Sequence, residues 1–139
     1  MSTTPIAILI YRRPAQVRGL LTALRVQQPK NIWIIADGPK AQSENELCRA
    51  ARQEAEKGIA WECEVTKVYA DKNLGLKGRV DTGLDKLFAY KNSAIILEED
   101  CQPNPQELQS YADQLTQAVK KNSEKNKACL GNISHMFDK

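Results

Sequence analysis

Residues 6–36 decide the fold: Ile6-Ala-Ile-Leu-Ile10, then Tyr11-Arg-Arg13, then Pro14 through Gln27, then Ile32-Trp-Ile-Ile-Ala36. The first and last pieces are short continuous apolar runs, as strands buried on both faces read. Between them Val17, Leu20, Leu21 and Leu24 recur at i, i+3, i+4 and i+7, which predicts one apolar helix face. Pro14 suits the first turn of that helix, where its missing N–H costs nothing. Pro29 stops it. A strand, a helix and a second strand in so short a stretch predict a parallel crossover unit.

The pattern continues outward. Asp37-Gly38-Pro39 is a turn signal after the second strand. Ser43 and Glu46 have capping-box spacing, which predicts a helix over 44–57 ended by Gly58, with Leu47, Ala50 and Ala51 as a thin apolar face. Trp61, Cys63 and Val65 alternate with polar residues and predict a half-exposed strand over 61–69. Asn73-Leu-Gly75-Leu-Lys-Gly78 reads as a glycine-punctuated loop, followed by a helix with Val80, Leu84, Leu87 and Phe88 on one face. Ser93-Ala-Ile-Ile-Leu97 predicts another buried strand, with Glu98-Glu99-Asp100 at its end. Asn104 and Pro105 open a further helix, and Ala128 to Ser134 form a last strand. The fold class expected is therefore α/β: a three-layer α/β/α domain on a mainly parallel, Rossmann-like sheet.

Composition excludes several classes. The chain has 139 residues, which suits one domain; 42% are hydrophobic and 27% charged, as in ordinary globular chains. A net charge of +3 is too small and dispersed to argue for nucleic acid or an anionic membrane. No apolar run approaches the ~20 residues of a membrane span, and the first residues lack a signal peptide's pattern. Cys48, Cys63, Cys101 and Cys129 show no metal-binding spacing and read as free thiols in a reducing compartment. A cytoplasmic location is the expectation. His135 reads as a surface or strand-end residue, and Trp33 and Trp61 as core or sheet-face residues.

Parallel sheets bind ligands beyond the carboxyl ends of their strands. Those ends hold Arg12 and Arg13, Asp37, the Asn73–Arg79 loop with Lys77, and Glu98-Glu99-Asp100. Three adjacent acids repel one another, and a divalent cation with oxygen ligands relieves that cost. The cluster reads equally as an acidic turn favoured by the dipole of the next helix. The glycine loop can turn N–H groups toward a phosphate, with Lys77 and Arg79 adding charge, or be a plain flexible loop.

In combination, three segments resemble the nucleotide-sugar half of a GT-A glycosyltransferase, nearest to the N-acetylglucosaminyltransferase I type. They are Pro5 to Pro14, Asn73 to Arg79, and Ala94 to Pro103. The resemblance covers roughly residues 5–135. It implies a metal-dependent transferase binding a nucleoside-diphosphate sugar, most simply a UDP-sugar, with Mn²⁺ or Mg²⁺, for transfer to an acceptor hydroxyl. Asp100 matches the family's metal-binding acid, Glu99 the middle acid near the ribose or metal-bound water, and Glu98 the first acid of its DXD-like motif. Arg12 or Arg13 matches a basic residue near base and phosphate, and Asp37 an acid reaching the uracil edge. Lys77 and Arg79 lie where the family's loop faces the nucleotide.

Two departures stand out. The middle acid is Glu, a methylene longer than Asp. Family members also continue into an acceptor-binding half that normally supplies the catalytic base, and Gly131-Asn-Ile-Ser134 resembles the strand opening that half. The catalytic residue is therefore unassigned. The alternative expectation is a catalytically incomplete nucleotide-binding or protein-interaction module of the same fold. An uncovered sheet edge would favour homo-oligomers.

Overall fold

The computed structural model describes residues 4–91, 93–101, 106, 110 and 126–130. Five strands form one sheet: β1 (Ile6–Ile10), β2 (Asn31–Ala36), β3 (Glu64–Tyr69), β4 (Ser93–Glu98) and β5 (Asn126–Leu130). Their order is β3-β2-β1-β4-β5, and every pairing is parallel. Three helices cross between them: α1 (Pro14–Gln27), α2 (Asn45–Gly58) and α3 (Gly75–Phe88).

The pleat explains the layering. Ile6, Ile8, Ile10, Ile32 and Ile34 point to one face, where they meet Leu20, Leu21 and Leu24 of α1 and Ala51 and Ala55 of α2. Ala7, Leu9, Trp33 and Ile35 point to the other, against Val80, Leu84 and Leu87 of α3. Every residue of β1 and β2 is buried, so both run through the middle of the core. Each fully buried Ile or Leu stabilises the fold by about 1.5–3 kcal/mol. Helices on both faces of the sheet make three layers. Among the described residues no helix is long and apolar enough to cross a membrane.

β1, α1, β2 and β4 match expectation within a residue. Five local readings need correction. Ser43 does not cap α2: a 3₁₀ turn (Gln42–Glu44) precedes it, and no side chain caps either element. The buried face of α2 is Cys48, Ala51 and Ala55, while Leu47 is 44% exposed. These small residues let α2 lie close against α1. β3 begins at Glu64 rather than 61; the Trp61 indole instead donates to the Pro29 carbonyl at 2.8 Å. The stretch 75–78 is helix, not loop, because α3 starts at Gly75. The last strand is β5 (Asn126–Leu130) rather than 128–134. The helix expected after Asn104, with Pro105, and the readings on Gly131, Ser134 and His135 lie outside the described residues, apart from helical positions 106 and 110.

Candidate functional site

In this strand order β1 connects through α1 to β2 on one side, while β4 returns on the other. After β3, α3 carries the chain back past β1 to β4, so the strand order reverses between β1 and β4 and a crevice opens there. The residues after β1 and β4 form its walls.

The register sets them opposite one another: Leu9 pairs with Glu98. Just beyond, the Tyr11 N–H donates to Glu99 Oε2 at 2.9 Å. Burial pushes the Glu99 carboxyl above its ordinary range, against the pull of that N–H and of Arg79 and Arg13. From α3, Arg79 Nη1 donates to the Ile10 carbonyl at 2.8 Å. Burial lowers the Arg79 guanidinium from its usual value, while Asp37, Glu99 and Glu98 act to raise it. It remains a cation, as arginine does in proteins. No carboxylate pairs with it at ion-pair distance among the described residues, and its buried Nε–H has no acceptor. Leu9, Arg13, Arg79, Glu98, Glu99 and Asp100 enclose a cleft of about 170 Å³. Asp100 is exposed at its mouth.

A second cleft, about 250 Å³, lies between the ends of β2 and β3 and the flank of α3. Arg79 lines this one as well.

Asp37 has a different position. It is 1% exposed, and both its carboxylate oxygens accept bonds from the loops. Oδ1 takes the N–H groups of Gly38 and Leu74, each at 2.8 Å; Oδ2 takes the Asn73 amide at 3.2 Å. Asn73 also donates to the Gly38 carbonyl at 3.0 Å and accepts the Gly75 N–H at 3.1 Å. This knot fixes the start of α3, and hence Arg79. Two glycines permit it. Gly75 has φ +76°, in the left-handed region, and a Cβ on Gly38 would lie 2.7 Å from the Lys72 carbonyl carbon.

Of the other expected residues, Arg13 reaches the acidic cleft, whereas Arg12 and Lys77 line neither cleft. Arg12 is paired with Glu44 at 2.8 Å. Glu44 also accepts the Tyr11 hydroxyl and the Lys40 N–H, and these bonds hold its carboxyl below the ordinary range. Burial first, and Glu44 second, push the Tyr11 phenol up to about 12.

One residue escaped the sequence. Arg52 donates through Nη2 to the carbonyls of Asp37 at 3.1 Å and Ala70 at 2.8 Å, and sits 4.7 Å from the Tyr69 ring centroid. It ties the ends of β2 and β3 together. On sequence it is one more charge on a polar helix, and no spacing distinguishes it from Arg49.

Among the described residues no three His, Cys, Asp or Glu side chains are grouped to hold a metal alone. A hard cation that takes one or two carboxylates and completes its shell with phosphate oxygens needs only Asp100 and a neighbour. The donor set fits that mode and not an all-protein cage. No protein-family model matches the chain, and no curated protein or solved structure matches it significantly.

Proposed function

We propose that the crevice between β1 and β4 is the donor site of a GT-A-type glycosyltransferase, binding a nucleoside-diphosphate sugar with a divalent cation for transfer to an acceptor hydroxyl. One observation carries the reading: a half-buried, unpaired Arg79 beside an acidic turn at the switch point of a parallel sheet. Cation and acids in one small cleft suit a ligand that brings both charges, a diphosphate with its metal. Arg79 and Arg13 meet phosphate oxygens in the manner of arginine forks. Asp100, with Mn²⁺ or Mg²⁺, supplies the metal contact. A divalent cation in this position neutralises charge on a leaving diphosphate. Glu99 keeps Tyr11, and with it the β1–α1 turn, against the cleft.

Binding without turnover is the second reading. Asp37 and Glu99 accept bonds from their own loops, and Asp100 is assigned to the metal. A base for the acceptor hydroxyl then comes from elsewhere.

Calorimetric titration of UDP, with GDP as control, with and without Mn²⁺, tests the site. Metal-dependent UDP binding that Asp100→Ala abolishes is expected. Failure of both nucleotides to bind the wild type in the presence of metal would overturn the proposal. Release of UDP from a UDP-sugar would separate transfer from binding alone.

A further inference from the structure

Resting on that reading, we infer that the nucleoside sits in the cleft between β2, β3 and α3, and not against Asp37. An acid after the second strand is the obvious partner for a base edge, but Asp37 is buried and three loop donors occupy its oxygens. A base could reach it only by displacing the knot that starts α3.

The neighbouring cleft has the matching chemistry. Ile35 and Val68 give it an apolar floor, and Leu74, 45% exposed, gives it an apolar lip. Flat nucleobase faces bury well on such surfaces. Asp71 and Thr82 bring a carboxylate and a hydroxyl that accept from an imide or amine edge. Lys72 and Lys86 with Arg79 outnumber the one acid, so the cleft favours an anionic ligand. Its volume, about 250 Å³, exceeds that of the acidic cleft, about 170 Å³, so the bulkier end of the ligand belongs here.

Arg79 lines both clefts and fixes the ligand's direction. The base lies toward β3, the diphosphate crosses Arg79, and the sugar end points to Asp100.

Two variants test this, Thr82→Trp and Lys86→Glu. Both positions are exposed on α3, so neither disturbs the core. UDP and inorganic pyrophosphate are titrated in parallel with the same divalent cation. Thr82→Trp is expected to lower UDP affinity by about tenfold or more with pyrophosphate affinity unchanged, and Lys86→Glu to lower UDP affinity by more than it lowers pyrophosphate affinity. Unchanged UDP affinity in both variants would overturn the seat while leaving the donor site intact. Equal losses for UDP and pyrophosphate would also overturn it, because the variants would then act through the phosphates. A wild type that binds neither ligand removes the donor site, and this inference with it.

Discussion

Asp37 and Glu99 follow β2 and β4, the two strands that flank β1, and the same chemical group plays opposite parts at the two ends. Asp37 is sealed, with backbone and amide donors filling both oxygens. Glu99 is half-buried, takes the backbone N–H groups of Tyr11 and Arg13, and stands beside two arginines. A carboxylate saturated by its own chain builds the frame. One left near unpaired cations forms part of a site for something else. Which part an acid plays depends on the donors that the fold brings to it.

The largest effect should come from breaking the frame. Asp37→Ala removes a charged acceptor and strands buried donors, at a cost of about 3 kcal/mol in urea unfolding. A cost below about 1 kcal/mol would mean that the Asn73–Gly75 turn holds itself. Next comes Arg79→Met. UDP binding with Mn²⁺ should weaken by about 2 kcal/mol or more, as for other truncated buried charges. The urea midpoint should hold or rise, since an unpaired buried cation opposes folding. A lowered urea midpoint with UDP binding unchanged would reverse the contrast between the two ends.

A smaller effect concerns Glu99. Its carboxyl is held above the ordinary range, chiefly by burial, so the folded chain keeps a proton that the unfolded chain releases earlier. That stabilisation is complete below the ordinary glutamate value and is lost as pH rises through the raised one. Glu99→Gln carries no such proton. Its urea midpoint should therefore decline less than that of wild type over this window, from about pH 4 upward. Parallel decline would show that Glu99 is not the group responsible. The smallest change is expected away from both ends. Glu54→Gln breaks the Arg18–Glu54 pair on the exposed faces of α1 and α2, and screened pairs of that kind contribute little. Its midpoint should match wild type.

Much of the frame was legible in the sequence because burial on both faces leaves continuous apolar runs. Ile6–Ile10, Ile32–Ala36 and Ala94–Leu97 have no polar interruption, and the heptad spacing of α1 is regular. The acids and arginines of the crevice were legible as residues at strand ends. What escaped depended on distant partners. Ser43 and Glu46 matched a cap by spacing, but the chain there is organised by Glu44, drawn into bonds with Tyr11, Arg12 and Lys40. Asn73–Gly78 looked like an open loop because the donors to Asp37 lie far along the chain from it. Arg52 makes its contacts with two carbonyls, and backbone atoms leave no mark in a sequence pattern.

The order of the strands has a consequence for how the crevice comes into being. β1, β2 and β3 follow one another, and each crossover among them closes a short local loop. β4 must travel back past them to pair Ile95 with Ile6. During synthesis the arginine and acidic walls are therefore brought together only after the nascent chain has passed Asp100. In the finished protein, a fluctuation that peels β4 from β1 parts Arg79 from the acidic turn while the pairing of β1, β2 and β3 persists. Recognition is lost before cohesion.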